Sequence, residues 1–237
     1  MDLTTLLVAF IVSYLLGALS FGRIVAKLAR PDVDLNDVEM RWANADEPYR
    51  LQSIGGNTAS MKLGPRLGCT VGILDILKVF IPTLVFKLLY PEQYYFLVAA
   101  VAGFIGHCWP IYYRFKGGRG ISAFYGGMFA IDPIGTFVVA TTAMVIGMAV
   151  LKELLLVYMG GVLLAIPWLW FTTQNPYYVA YALAINVLFI LAMIPEIKQI
   201  IQFRRKYGKG DMQVGMEQFP MGQEMLKLMN RFKLKKR

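Results

Sequence analysis

At 237 residues the chain is 57% hydrophobic and 16% charged, with 24 Lys and Arg against 15 Asp and Glu. Soluble domains carry about 25% charged residues, and the apolar residues here gather in long blocks, so an ordinary soluble globule is excluded. The net charge of +9 does not call for nucleic acid, because a polytopic membrane protein carries basic cytoplasmic loops that meet anionic headgroups.

The blocks predict an all-α polytopic integral membrane protein of about seven transmembrane segments. The first runs from Leu3 to Gly22, with Gly17 and Gly22 available for close helix packing. No basic n-region or small-residue cleavage site accompanies it, so it is expected to be retained. Residues 23–66 form a polar stretch with seven basic and six acidic residues. That is too long for a connector and implies a functional loop or a small surface subdomain. Apolar segments follow at Leu67–Tyr90 and Tyr94–Tyr113, the former containing Asp75, Lys78 and Pro82. Ile121–Ile131 is too short to span fully and is expected to be half-inserted or tilted. Pro133–Leu151, Leu154–Phe171 and Tyr177–Ile194 read as full spans. The expected division is a membrane domain over 1–195 and a basic cytoplasmic tail over 196–237.

With the N-terminus outside and seven crossings, the inside segments hold 22 of the 24 basic residues, and Lys78 and Lys87 lie within a span. This asymmetry predicts N-out, C-in. In the tail, Met225, Leu226, Leu228, Met229, Phe232 and Leu234 alternate with Lys and Arg. The pattern fits a basic amphipathic helix on anionic headgroups or a solubilising spacer. No internal repeat suggests a transporter built from inverted halves, and only Asp75 and Lys78 could line a polar path.

Two loops and one buried pair could carry chemistry. Lys116, Gly117, Gly118, Arg119 and Gly120 place two cations beside three residues with uncovered amides. That arrangement suits a phosphate, although a membrane-flanking turn has the same composition. Ser53–Ser60, with Gly55, Gly56 and Asn57, is a run of small and hydroxyl residues near Arg50, Lys62 and Arg66. It reads as a second anion contact or as a flexible turn. Asp75 and Lys78, three apart, share a helix face as a packing ion pair or as part of a polar site. His107 is a lone histidine without metal partners, and Cys69 and Cys108 read as apolar fillers. Neither a metal nor another cofactor is expected, since no Cys/His cluster, nucleophile elbow or Walker loop is present.

Four segments together resemble the bacterial acyl-phosphate:glycerol-3-phosphate acyltransferase family, the PlsY type. The family's first span, Y-L-L-G-S-I-P-F-G, matches Tyr14-Leu-Leu-Gly-Ala-Leu-Ser-Phe-Gly22. Its G-S-G-N-x-G-A-T-N falls on Ile54–Lys62, and its L-G-x-x-x-G and D-x-x-K-G-x-x-P fall on Leu67, Gly68, Gly72, Asp75, Lys78 and Pro82. Its G-H-x-x-P-x-x-x-x-F-K-G-G-K-G falls on Gly106, His107, Pro110 and Phe115 through Gly120. The likeness covers roughly residues 10–195, apart from a longer first cytoplasmic loop.

The resemblance implies transfer of a fatty acyl group from acyl phosphate to the 1-hydroxyl of glycerol 3-phosphate, giving lysophosphatidic acid. It also implies a multi-pass protein of the cell inner (plasma) membrane with its site facing the cytoplasm, among membrane lipids. Lys116, Arg119, Gly117, Gly118 and Gly120 would hold one phosphate. Asn57, Gly55, Gly56 and Arg50 would lie near the other, and Asp75 and Lys78 would join the substrate-binding set. His107 would orient the loop or shuttle a proton, and Ser122 would add a hydroxyl. Departures accompany the match. Gly55 replaces a serine, Arg50 sits one position from the usual arginine, and Ile121-Ser122-Ala123 replaces V-A-T. Near the last span, Met193-Ile-Pro-Glu-Ile197 replaces H-R-x-N-I. The alternative is a catalytically impaired relative that binds phosphate-bearing lipids or acyl phosphate without transfer. Lys116→Ala is expected to weaken transfer strongly, and deletion of the tail to leave it intact.

Overall fold

A computed structural model describes residues 2–227 apart from 37, 52, 152, 209 and 221, and leaves out the side chains of 154, 155, 158 and 212. Helix α1 (Leu3–Gly17) starts at Asp2, whose carboxylate accepts from the Thr4 and Thr5 amides at 2.8 and 3.2 Å. The chain then breaks at Ala18–Ser20 before α2 (Phe21–Ala29), so the first expected span is two helices. The break has a physical counterpart: the Leu19 carbonyl accepts from the Lys78 ammonium at 2.6 Å instead of from a helical amide. Lys78 lies on α4 (Pro65–Leu89), which carries Pro82 inside it, and α5 (Tyr95–Cys108) follows. A Cβ at Gly17 would strike the Gly103 backbone, and one at Gly106 the Tyr14 carbonyl. These glycines set the close approach of α1 to α5.

Helix α6 (Ile121–Ile131) is short because its end is satisfied inside the protein. The Lys87 ammonium donates to the Ala130 and Ile131 carbonyls, each at 2.9 Å. Asp132 then caps α7 (Pro133–Val145) through the Gly135 amide at 2.8 Å and takes the Trp168 indole N–H at 2.7 Å. Helix α7 runs on through a π-helical stretch, Ile146–Leu151, to α8 (Leu154–Thr173) and α9 (Pro176–Tyr207). All seven expected apolar segments are helical. Among the described residues, five stretches are long and apolar enough to cross a membrane: Leu3–Ala29, Pro65–Leu89, Tyr95–Tyr113, Pro133–Leu151 and Pro176–Tyr207. Ile121–Ile131 and Met159–Thr173 are shorter apolar helices. Inside the bundle pack Phe104, Phe124, Met128, Leu169, Ile185 and Met193. Ile73, Ile81, Leu88, Val187 and Leu191 stay exposed, the arrangement of a surface bathed in lipid.

Helix α9 passes through Pro195 to Tyr207, so the expected boundary at 195 falls inside a helix. The polar 23–66 stretch is a folded layer, and it amends the purely α expectation. Strands β1 (Val38–Met40) and β2 (Tyr49–Leu51) pair antiparallel, Glu39 opposite Arg50. Alternation turns Val38, Tyr49 and Leu51 inward and Arg50 outward. Helix α3 (Gly56–Leu63) follows, and α10 (Met212–Glu217) lies after α9.

The hairpin does not stand alone. Val38, Tyr49 and Leu51 share one buried cluster with Ile200 and Phe203 of α9 and Phe219 beyond α10. Gln218 clasps Arg41 both ways: it accepts from the Arg41 amide at 2.5 Å and donates to the Arg41 carbonyl at 3.0 Å. Lys206 pairs with Glu47 at 3.1 Å. First loop and tail thus form one cap. Residues 222–227 are helical. Residues 228–237, which carry the rest of the expected amphipathic pattern, lie outside the described residues, as does Lys152. Truncation after Tyr207 removes Phe219 and Gln218 and uncovers Tyr49 and Trp42. Burying one such aromatic contributes about 1.5–3 kcal/mol, and an isolated two-stranded hairpin is marginal in water. Limited proteolysis is therefore expected to cut the truncated protein within residues 36–52 at enzyme concentrations that leave the full chain whole.

Candidate functional site

The candidate residues separate into two compartments divided by the 114–120 loop. The inner one is built on α4, where the buried Asp75 and Lys78 pair at 2.7 Å. The His107 Nδ1 stands 3.8 Å from the same Asp75 oxygen. Ser20, Pro110 and Gly118 complete its walls. The glycine loop folds down onto this cluster. The Gly118 amide donates to the His107 carbonyl at 3.0 Å. A Cβ at Gly118 would collide with the His107 ring, and one at Gly117 with the His107 carbonyl. Gly120 turns the chain into α6 at φ 90° with Phe104 against it, where any side chain would be strained and crowded. The glycines therefore secure close approach, and the Gly118 N–H is already engaged. The Gly55 N–H is likewise taken, by the Thr58 hydroxyl at 2.8 Å.

The outer compartment is a half-open groove with room for about 140 Å³ of solvent between the helix ends and the cap. Arg119 and Asn57 line it together with Glu196, and Trp42, Tyr49 and Phe219 of the cap wall it. Arg119 Nε lies 2.5 Å from Glu196 Oε2, with only 17% and 8% of the two side chains exposed. Farther along the same groove, Arg204 pairs with Glu153 at 2.7 Å. The Trp42 Nε1 and Arg119 Nη2 are buried without a hydrogen-bond partner among the described residues. Burial, and then the nearby Glu196 carboxylate, push the ionisation of the Tyr49 hydroxyl well above its ordinary range. The groove thus places buried donors beside an arginine neutralised by Glu196.

The structure brings Asn57 and Arg119 together, and separately brings Asp75, Lys78 and His107 together. It does not gather the rest. Lys116 is exposed on the loop and lines neither compartment. Arg50 is on the outer face of the hairpin, 3.2 Å from Glu39. Ser122 is half-buried in the first turn of α6, and Gly56 packs against Gly68 and Gly72 of α4. Sequence reasoning missed Glu196, Tyr49, Trp42 and Arg204 as groove residues. A signal existed for Glu196, an acidic residue just beyond the last apolar run at the position of the family's asparagine. Tyr49 and Trp42 are placed by the contact of loop and tail, which leaves no local pattern.

Residues 7–203 match the family described as Glycerol-3-phosphate acyltransferase. A relative of that name from Halalkalibacterium halodurans is 34% identical over 201 residues, covering 81% of this chain and 88% of the relative. Another, from Pseudothermotoga lettingae, is 31% identical over 132 residues, which is 56% of this chain, and the match spans only 60% of that relative's length. Among solved structures, the crystal structure of PlsY, an integral membrane glycerol 3-phosphate acyltransferase, in its glycerol 3-phosphate form is similar at a TM-score of 0.69 and 25% identity. That likeness covers 84% of this chain and 93% of the other.

Proposed function

Because the chain belongs to the glycerol-3-phosphate acyltransferase family, we propose that its groove moves a fatty acyl group from acyl phosphate to the 1-hydroxyl of glycerol 3-phosphate. The product is lysophosphatidic acid. The observation that carries this reading is the meeting of Arg119 and Asn57, from two distant motifs, inside one groove at the ends of the apolar helices. An acyl phosphate is a mixed anhydride. The acceptor hydroxyl attacks its carbonyl carbon, the bond from that carbon to the phosphate oxygen breaks, and the departing phosphate carries away the proton. A leaving group this good needs no protein nucleophile. Holding the two substrates in register and neutralising phosphate charge supply the acceleration.

In this mechanism the Arg119 guanidinium takes a phosphate, and the Asn57 carboxamide orients the hydroxyl or a second phosphate oxygen. Apolar side chains along the groove, Ile121 and Met159 among them, receive the first part of the acyl chain. The inner Asp75–Lys78–His107 cluster acts as the foundation of the loop and holds Gly118 in place. Tail deletion is no longer expected to be harmless, since Phe219 is part of the groove wall. Purified protein given an acyl phosphate should release inorganic phosphate only when glycerol 3-phosphate is added. Release without acceptor would indicate hydrolysis. Binding without release would favour the reading that the altered Met193 and Glu196 positions have left a non-transferring relative.

The orientation is N-out, C-in in the inner membrane, with the groove on the cytoplasmic side. In a Cys69→Ser background, Glu92→Cys is expected to react with an impermeant thiol reagent applied to intact cells, and Glu224→Cys to react only after lysis. The reverse labelling pattern would put the groove on the wrong side for cytoplasmic substrates.

A further inference from the structure

Arg119, the phosphate ligand of this reading, is already occupied by the protein itself. Glu196 comes from α9 and holds Arg119 at 2.5 Å, and only 6% of the glutamate residue is exposed. An anion arriving at Arg119 would meet a carboxylate already bound to the same guanidinium, in surroundings where like charges repel strongly. Either the anion stays out or the carboxylate moves off.

The groove provides a second partner for the carboxylate. The Tyr49 hydroxyl, carried in by the hairpin, lies close enough for the Glu196 charge to oppose its ionisation. It already stands beside the carboxylate that Arg119 holds. Arg119 Nη2 has no hydrogen-bond partner among the described residues, so the guanidinium retains a donor for an incoming oxygen while Glu196 holds its Nε side. Both ends of an exchange are therefore present.

We propose that Glu196 is an internal competitor for the substrate phosphate: the resting groove keeps an Arg119–Glu196 pair, and phosphate binding swaps it for an Arg119–phosphate pair while Glu196 stays with the Tyr49 hydroxyl. The inference rests on the reading of Arg119 as the phosphate ligand. Its consequence is that Glu196 and Tyr49 set the affinity of this chain for its phosphorylated substrate. A group without enough negative charge to displace the carboxylate is excluded, so the swap also selects for phosphate over uncharged polyols. The cap takes part because it supplies Tyr49.

Calorimetric titration of glycerol 3-phosphate into the full-length protein in detergent tests this, alongside KM and kcat for transfer. In Glu196→Gln the amide keeps the shape of the side chain but loses the competing charge. Its dissociation constant and KM are expected to fall by roughly tenfold or more, since each tenfold corresponds to a modest change in charge interaction. Tyr49→Phe removes the hydroxyl that retains Glu196 once Arg119 is released and is expected to raise both severalfold while kcat changes little. Glu196→Asp, which retracts the charge by one methylene, should tighten binding to a smaller extent, and it serves where the glutamine variant does not fold. Binding unchanged or weakened in the Glu196 variants would overturn the proposal and make Glu196 a positioning residue for Arg119. Absence of binding in the wild type and in every variant would instead sink the underlying reading of Arg119 as a phosphate ligand.

Discussion

Arg119→Ala is expected to lower kcat/KM for glycerol 3-phosphate by roughly 30-fold to several thousandfold. Removing one partner from a buried, hydrogen-bonded charge contact costs about 2–5 kcal/mol, and each 1.4 kcal/mol is about a factor of ten. Arg119→Lys retains the charge without the planar fork, and the family places a lysine there, so that variant should keep most of the activity. Lys116→Ala should cost much less than Arg119→Ala, since an exposed cation in high dielectric contributes about 0–1 kcal/mol to a contact. This ordering reverses the emphasis that the sequence places on Lys116. Steady-state kinetics on the three variants, with thermal unfolding to confirm that each is folded, checks it. Equal losses for Lys116 and Arg119 would move the phosphate from the groove to the loop surface.

Lys78→Ala is expected to destabilise the fold more than any other single change considered. Breaking a buried ion pair by deleting one partner typically costs about 3–5 kcal/mol, because the other charge stays buried and uncompensated. Here the loss would strand Asp75 beside His107 and leave the Leu19 carbonyl, at the break between α1 and α2, without its donor. The double change Asp75→Asn with Lys78→Met removes both charges and should recover much of the loss. Thermal unfolding in detergent would show the double variant above Lys78→Ala. A double variant as unstable as the single one would mean that the Leu19 contact, rather than the ion pair, holds the helices there.

The apolar segments were legible because burial in lipid needs runs of apolar residues, and all seven are helical, although the first is broken after Gly17 and the last runs on to Tyr207. The break after Gly17 was not legible. Its cause is Lys78, 59 positions away, taking a backbone carbonyl, and periodicity carries no such information. The site was half legible. Glycine and cation composition pointed to the 116–120 loop, and the spacing of Asp75 and Lys78 pointed to their pairing. Which cation faces the groove depends on how Gly117 and Gly118 seat against His107. That seating commits the Gly118 amide and leaves Arg119, not Lys116, in the groove. The cap was read as two unrelated polar stretches, since nothing local in Trp42, Gln218 or Phe219 announces that they meet.

The central claim is that this groove makes lysophosphatidic acid from acyl phosphate and glycerol 3-phosphate. Its most direct test follows radiolabelled glycerol 3-phosphate into a lipid-soluble product, using purified protein given either an acyl phosphate or an acyl thioester. The account predicts labelled lysophosphatidic acid with the acyl phosphate, and its near-disappearance in Arg119→Ala. Labelled product from the thioester alone, or none from either donor while glycerol 3-phosphate still binds, would contradict it.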